Sequence, residues 1–232
     1  MVKTGILYGV GVGPGDPELM TVKAWRLIST SDVIAYLCAN GKDCTARDIA
    51  KPFIPDGATE IAIDMPMRVE REIGQAAYDE GAIVISAHLD QGQDVVMLCE
   101  GDPFFYGSFM YIFERLAGKY RTVVVPGVTS ITAAAAALGR PLVSRDDMLK
   151  ILPATLPEDR LHFELATSQA VAIIKVGRHF GKLKLILAEL GLLSKATAIE
   201  NATHDNQKIT AVENIESDTL PYFTTIIVRS KP

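Results

Sequence analysis

Short apolar segments alternate along the chain with longer segments in which apolar residues recur at helical spacing. Alternation of this kind predicts strands and helices that take turns, which is typical of an α/β protein. The short apolar segments predict strands over residues 6–12, 33–37, 95–99, 122–125, 149–152 and 171–174. The amphipathic segments predict helices over residues 18–30, 68–87, 106–117, 131–138 and 158–165, and one more helix face at Phe180, Leu183, Leu187 and Leu190.

The last part of the chain has a different pattern. Residues 197–200, 209–212 and 223–228 have strand-like composition, and short turns separate them, with no space for a helix between the last two. This spacing predicts some antiparallel pairing late in the chain. A short polar break after residue 117 divides the pattern, so we predict an N-terminal α/β domain over residues 1–118 and a C-terminal α/β domain over residues 119–232.

Composition and charge narrow the function classes. The 232 residues carry a formal net charge of −5, which argues against non-specific binding to nucleic acid or to anionic membranes. No apolar stretch reaches the roughly 20 residues that span a bilayer, and the N-terminal residues lack the pattern of a signal peptide. We therefore expect a cytoplasmic protein.

Cysteine and histidine give no sign of a metal site. Cys38, Cys44 and Cys99 form no CxxC pair, and we expect them to be reduced thiols. The four histidines lie far apart and match no HExxH spacing. The sequence thus predicts no bound metal.

The first of three glycine-containing loops lies at residues 9–18, between a predicted strand and a predicted helix. A dinucleotide-binding loop needs glycine at i, i+2 and i+5, and none of the three possible registers supplies the third glycine. The Walker pattern is also excluded, because no Gly-Lys-Ser/Thr ends the loop. Asp16 is expected to cap the helix, with Pro17 at its first position. A capped tight turn without a ligand is the alternative explanation for this loop.

Two further loops follow strands in the same way. Residues 100–107 begin Glu-Gly-Asp-Pro, in which Asp102 and Pro103 again suit a helix cap and a first helical residue. Residues 126–130, Pro-Gly-Val-Thr-Ser, precede an alanine-rich helix. In open α/β sheets ligands bind beyond the carboxyl ends of the strands, where all three loops are predicted to lie.

S-adenosylmethionine is one ligand that suits these loops. Its carboxylate matches the N–H groups at a helix N-terminus, and its ammonium group matches the carboxylates of Glu100 and Asp102. A phosphate-containing ligand would also fit the helix ends, so the loops alone do not decide between the two.

The three loops together resemble those of the tetrapyrrole methylase family. The resemblance rests on Gly-Val-Gly-Pro-Gly-Asp-Pro-Glu at residues 11–18, Gly-Asp-Pro at 101–103 and Pro-Gly-Val-Thr-Ser at 126–130, in this order and spacing. It extends essentially from end to end of the chain. Residues 7–16, 175–180 and 221–223 are most similar to the branch that methylates precorrin-2 at C20.

The resemblance implies two α/β domains with a cofactor cleft between them, S-adenosylmethionine as methyl donor, and a homodimer. Carried over position by position, it implies cofactor contacts at Pro14, Glu100, Gly101, Asp102, Phe105, Tyr106, Thr129, Ser130, Val176 and Ala202. Two positions depart from the family pattern. Relatives often have glycine or another small residue in place of Glu100, and methionine is common near Val176.

The implied reaction transfers a methyl group to C20 of precorrin-2, giving precorrin-3A in cobalamin biosynthesis. Tyr106 and Asp102 are both candidates for removing the C20 proton, and no catalytic residue is assigned. The substrate is a small tetrapyrrole with several carboxylates, for which Arg140 and Arg178 are candidate ligands; solvated helix surface is the alternative for both. Cobalt-factor II, precorrin-3B and uroporphyrinogen III are alternative substrates, and a non-catalytic nucleotide-binding regulatory module is an alternative of another class.

Overall fold

The computed structural model describes residues 3–41, 44–66 and 71–229, with the side chains of 71–73 left out. The chain divides into two compact units, of which the first ends at Thr129 and the second begins at Ser130. Sequence analysis placed the division at residues 118 and 119. The structure differs because the strand at Thr122–Val125 pairs with the first strand of the chain and so belongs to the first unit.

The first unit contains a five-stranded sheet in the order β3-β2-β4-β1-β5. Every pairing in it is parallel. The carboxyl ends of all five strands therefore lie along one edge, with β1 between β4 and β5. The strands are β1 (Leu7–Gly11), β2 (Val33–Ala39), β3 (Thr59–Met65), β4 (Val95–Cys99) and β5 (Thr122–Val125).

Helices cover both faces of this sheet, which is why its central strands are apolar on both sides. On one face α3 and α4 pack over Leu7 and Met97, and on the other α1 and α2 pack over Val10 and Leu98. The helices of the first unit are α1 (Val22–Ser29), α2 (Thr45–Ala50), α3 (Arg71–Asp90) and α4 (Phe109–Leu116).

The second unit contains a mixed sheet in the order β6-β7-β10-β8-β9. Only β6 and β7 pair in parallel, whereas β10 runs antiparallel to β7 and β8, and β8 antiparallel to β9. The predicted antiparallel pairing late in the chain is therefore confirmed. The elements are α5 (Ser130–Leu138), β6 (Leu149–Pro153), α6 (Glu158–Ala166), β7 (Ala170–Ile174), α7 (Phe180–Glu189), β8 (Ala196–Glu200), β9 (Lys208–Ala211) and β10 (Thr224–Arg229).

Two predicted helices begin later in the structure than the sequence predicts. The predicted helix over residues 18–30 is a 3-10 turn at Pro17–Leu19 followed by α1, which begins afresh because the Thr21 side chain accepts a hydrogen bond from the Ala24 amide at 3.2 Å. The helix predicted from residue 106 begins at Phe109. Residues 68–70 of the helix predicted over residues 68–87 lie outside the described residues.

Sequence analysis did not predict α2 and β3. The six residues of α2 are too few to show helical periodicity. The alternation of exposed and buried positions in the edge strand β3 is a strand signal that was overlooked. The helix α2 matters for the site, because it contacts one of the loops at the carboxyl edge of the sheet.

The expectation that all three cysteines are reduced is wrong. Cys38 and Cys44 form a disulfide, with their Cα atoms 4.2 Å apart, and Cys99 is a buried free thiol. The pairing arises because the chain leaves β2 at its carboxyl end and returns to that same end to begin α2. A spacing of six residues gave no sign of this return, because α2 itself was not predicted.

Within the described residues, no helix combines the length and apolar character needed to cross a membrane.

Candidate functional site

Three loops meet at the carboxyl edge of the first sheet. Loop 1 (residues 12–16) follows β1, loop 2 (residues 100–108) follows β4, and loop 3 (residues 126–129) follows β5. Since β1 lies between β4 and β5, the sheet places loops 2 and 3 on either side of loop 1. The predicted location of all three loops is confirmed.

Loops 1 and 2 are joined through a pair of glycines. The Gly101 amide donates to the Gly13 carbonyl at 2.8 Å, and the Gly13 amide donates to the Gly101 carbonyl at 3.3 Å. Gly13 has φ +84° and Gly101 has φ +61°, in the left-handed region that side chains disfavour. The backbone conformation therefore favours glycine at both positions.

Loop 3 lies in close contact with loop 2 and with Gly11, the last residue of β1. A Cβ atom added to Gly127 would lie 2.0 Å from the Gly101 carbonyl oxygen and 3.0 Å from the Cα of Gly11. A Cβ atom on Gly11 would in turn lie 2.5 Å from the Gly101 oxygen. The three backbones thus approach so closely that no side chain fits among them.

Asp102 joins loop 2 to loop 3. Its Oδ2 accepts a hydrogen bond from the Gly127 amide at 3.0 Å, and its Oδ1 accepts one from the Phe104 amide at 2.9 Å. The prediction that Asp102 caps the following helix is wrong, because Phe104 lies in a turn and α4 begins only at Phe109. Asp102 instead fixes the loop on which the helix depends.

Asp16 behaves as predicted. Its Oδ1 accepts a hydrogen bond from the Glu18 amide at 2.8 Å, and Pro17 is the first residue of the turn that follows. The capped element is a single 3-10 turn rather than a long helix.

The Glu100 side chain points towards α2. Its Oε1 accepts a hydrogen bond from the Ala46 amide in the first turn of that helix, at 3.2 Å. Burial raises the pKa of the Glu100 carboxyl. This contact connects the carboxyl end of β4 to α2, and sequence analysis missed it because α2 was not predicted.

Loop 2 also presents aromatic side chains. Phe105 and Tyr106 pack edge to face with ring centroids 5.3 Å apart, and Phe104 packs edge to face on Phe113 of α4 at 5.0 Å. Tyr106 is exposed and has φ +55°, a left-handed conformation that is unusual for a bulky residue. Backbone strain of this kind concentrates at functional sites.

The predicted site residues are distributed over both units. Pro14, Glu100, Gly101, Asp102, Phe105, Tyr106 and Thr129 lie in the three loops of the first unit. The second unit contains Ser130, Arg140, Val176, Arg178 and Ala202. Their roles as ligand contacts stay predictions.

In the second unit, the loops that follow β7 and β8 lie close to the start of β10. Lys175 follows β7 with φ +56°, and Asn201 follows β8 with φ +48°. The Asn201 amide donates to the Phe223 carbonyl at 2.8 Å, and the Leu220 amide donates to the Gly177 carbonyl at 3.1 Å. Residues with a left-handed backbone therefore follow β7 and β8. Both lie at the end of the sheet where β10, antiparallel to these two strands, begins.

Val176 and Ala202, the predicted contacts in these two loops, are both buried. Val176 is fully enclosed among the apolar side chains that surround Phe180 and Leu183. Its side chain therefore contributes to the core of the second unit in the structure.

Arg140 and Arg178 are exposed, and neither forms an ion pair with a carboxylate of the described residues. The Arg178 Nε donates to His179 Nε2 at 3.4 Å. Burial and the positive charges of Arg178 and Lys182 lower the pKa of His179. The surroundings of Arg178 are thus positively charged.

The part of the chain that the structure describes contains no group of three or more histidine, cysteine, aspartate or glutamate side chains that could hold a metal ion.

A parallel α/β sheet with close-packed glycine loops at its carboxyl edge defines a class of proteins that hold a small ligand at that edge. Comparison with known families identifies the particular one. The sequence profile of the Tetrapyrrole (Corrin/Porphyrin) Methylases matches residues 6–216. The chain belongs to this family.

Individual relatives agree with this assignment. A precorrin-2 C(20)-methyltransferase of Sinorhizobium sp is 37% identical over 98% of this chain and 96% of that protein. The cobalamin biosynthesis protein CobIJ of Mycobacterium bovis is 40% identical over 97% of this chain, but the chain spans about half that protein's length, 46%.

The solved structures confirm the fold. The uroporphyrin-III C-methyl transferase from Thermus thermophilus, complexed with S-adenyl homocysteine, superimposes with a TM-score of 0.71. The aligned region covers 97% of this chain and 92% of that one, at 21% identity. The predicted α/β fold of the tetrapyrrole methylase type is therefore confirmed.

Replacement of Gly127 by alanine tests the close approach of the three loops. The added Cβ would collide with the backbone of Gly101, so we expect Gly127→Ala to lower the free energy of unfolding by about 1–3 kcal/mol. Urea denaturation measures this. Gly118→Ala is the matched control, because a Cβ there meets nothing within 4 Å. Equal stability of the two variants would contradict the described packing.

The buried carboxyl of Glu100 predicts a pH dependence of stability. Because its pKa is raised in the folded state, the stability contributed by neutral Glu100 is complete below the unfolded pKa of about 4.3 and is lost as the pH rises through the folded pKa. Glu100→Gln keeps an acceptor for the Ala46 amide but carries no charge.

We therefore expect the free energy of unfolding of the wild type to fall relative to that of Glu100→Gln as the pH rises above about 4.3. Urea denaturation across this range measures the difference. Glu114→Gln, on the exposed side of α4, is the matched control. If the difference in free energy of unfolding between the wild type and Glu100→Gln stays constant with pH, the prediction is wrong.

Proposed function

We propose that the chain is an S-adenosylmethionine-dependent methyltransferase that methylates precorrin-2 at C20, giving precorrin-3A in cobalamin biosynthesis. The observation that carries this proposal is the end-to-end similarity, at 37% identity, to a protein named precorrin-2 C(20)-methyltransferase, of which the chain covers 96%. The loops at the carboxyl edge of the first sheet support it.

The residues of the first unit fit the proposed cofactor. The polar end of S-adenosylmethionine needs a backbone that side chains do not cover, and Gly13 and Gly101, whose amides and carbonyls pair with each other, keep side chains out of loops 1 and 2. The adenosyl group needs an apolar wall, and Phe105 and Tyr106 lie in the same loop as Gly101. A relative with the same fold was solved with S-adenyl homocysteine.

We propose that the cofactor is held by the ten predicted residues. In the first unit these are Pro14, Glu100, Gly101, Asp102, Phe105, Tyr106 and Thr129, and in the second Ser130, Val176 and Ala202. Both oxygens of Asp102 already accept backbone N–H groups. We therefore assign Asp102 chiefly to the shape of the loop, although a carboxylate oxygen has a second lone pair for the cofactor ammonium.

The chemistry asks the protein mainly for alignment. S-adenosylmethionine carries the methyl group on a sulfonium, which leaves as a neutral thioether. No acid is therefore needed to assist the departure of the leaving group. Holding the electron-rich C20 carbon in line with that methyl group accounts for much of the acceleration. We assign no general base: both carboxylate oxygens of Asp102 accept backbone amides, and Tyr106, which is exposed, stays a candidate.

The carboxylates of the tetrapyrrole would bind to Arg140 and Arg178. Both guanidinium groups are exposed, and arginine binds carboxylates through two parallel hydrogen bonds. The proposal includes a homodimer in the cytoplasm, as the family resemblance implies, and no nucleic-acid or membrane partner.

The decisive experiment offers the purified protein S-adenosylmethionine together with precorrin-2, its cobalt complex or uroporphyrinogen III. We expect precorrin-2 to gain one methyl group by mass spectrometry, and NMR with a ¹³C-labelled methyl donor to place it on C20. Methylation of the cobalt complex or of uroporphyrinogen III alone would reassign the substrate. Calorimetric binding of ATP but not of S-adenosylmethionine would overturn the methyltransferase proposal in favour of a regulatory module.

Replacement of Arg178 tests the substrate contact. We expect Arg178→Ala to raise the KM for the tetrapyrrole about tenfold, because a charge-assisted bidentate pair is lost, and to leave the KM for S-adenosylmethionine unchanged. Steady-state kinetics over a salt series measures both constants. Arg121→Ala, an exposed arginine of the first unit, is the control. An unchanged tetrapyrrole KM at every salt concentration would remove Arg178 from the site.

A further inference from the structure

The carboxyl end of β2 is covalently connected to the first turn of α2. Cys38 belongs to β2, and Cys44 is the residue immediately before α2. Their disulfide therefore fixes where α2 begins. The Cys44 side chain accepts no capping hydrogen bond from the amides of the first turn, so the disulfide acts through the position of that turn.

That first turn contacts the proposed cofactor loop. The amide of Ala46, two residues after Cys44, donates to Glu100 Oε1 at 3.2 Å. Glu100 immediately precedes Gly101, whose backbone pairs with Gly13. The disulfide is thus connected to the Gly13–Gly101 pair through the first turn of α2 and the side chain of Glu100.

The rest of α2 is held independently of the disulfide. Arg47 forms a two-pronged ion pair with Glu60 of β3, with Nε–Oε2 at 3.0 Å and Nη2–Oε1 at 3.1 Å. Ile49 and Ala50 are buried against the first sheet. Arg47 and the buried Ala46 belong to the first turn of α2. We therefore expect opening of the disulfide to displace only the N-terminal end of the helix, at Cys44, and to alter the Ala46–Glu100 hydrogen bond while the helix stays packed on the sheet.

We propose that the Cys38–Cys44 disulfide is a redox-sensitive positioning element for the cofactor loop and acts through Ala46 and Glu100. The inference rests on the proposed function, because it assigns loop 2 to S-adenosylmethionine. In addition to its proposed contact with the cofactor, Glu100 is a positioning residue in this scheme, because its side chain holds the loop by accepting the Ala46 amide. The disulfide form binds the cofactor more tightly than the dithiol form.

The chemical step is reduction by a dithiol. A thiolate of the reductant attacks one sulfur of the Cys38–Cys44 bond, which breaks that bond and forms a mixed disulfide between reductant and protein. The second thiol of the reductant then attacks the reductant's own sulfur in the mixed disulfide and releases the protein thiol. Two electrons and two protons pass to the protein, which ends with two thiols, and the reductant ends as a cyclic disulfide. Disulfides in a reducing compartment are usually transient and redox-sensing, which fits the proposed cytoplasmic location.

Calorimetry on the full chain tests the proposal. The dissociation constant for S-adenosylmethionine is measured for the disulfide form and again after reduction with dithiothreitol, and thiol titration of the denatured protein confirms each state. We expect reduction to weaken cofactor binding about three- to tenfold, the range for loss of one hydrogen bond that orders a loop. The KM for the tetrapyrrole should stay unchanged, which a general loss of structure would not allow.

Variants separate this path from other effects of the reductant. Cys44→Ser should bind the cofactor like the reduced wild type and should not respond to dithiothreitol, although Cys99 is still present. Glu100→Ala should bind weakly in both states and lose the redox response. Glu100→Gln keeps an acceptor for the Ala46 amide and should restore the response.

The outcomes are distinguishable. Equal cofactor affinity of the disulfide and dithiol forms would overturn this inference and leave the proposed function intact, as would three free thiols that diamide cannot oxidise. A full redox response in Glu100→Ala would exclude the path through Glu100. No binding of S-adenosylmethionine in either state would overturn the proposed function, and this inference with it.

Discussion

The close contact of three backbones at Gly11, Gly101 and Gly127 is the constraint on which the first unit depends. It exists because β1 lies between β4 and β5, so that three consecutive carboxyl ends open at one edge. The carboxylate of Asp102 holds the contact by accepting the Gly127 amide. Side chains are excluded from this place by sterics, so the three backbones pack directly against one another.

The sequence predicted the features that depend on local pattern. The apolar strand at 95–99 was predicted with its observed bounds, because a strand buried on both faces is a continuous apolar run. The sequence did not predict α2, and every contact of α2 was therefore missed: the disulfide to Cys38, the Arg47–Glu60 ion pair and the hydrogen bond to Glu100. These contacts join residues that a six-residue helix brings together, and such a helix is too short to show periodicity.

The candidate site shows a similar division. Its loops were located from glycine and proline spacing, because these residues fix the backbone wherever they occur. The roles of Asp102 and Glu100 were not located in the same way. Both carboxylates were expected to face a ligand or cap the next helix, and both accept amides from distant segments. Which amide a carboxylate accepts is decided by tertiary structure, and one sequence carries little information about it.

The mixed sheet of the second unit has a consequence for the order in which the protein folds. Its central strand, β10, is the last strand of the described chain, and it pairs with β7 and β8. The first unit has all five of its strands by residue 125. During synthesis the first unit can therefore fold while the second is still being made. The second must wait for β10, and until then β7 and β8 each have an unpaired edge that a chaperone or a neighbouring chain can bind.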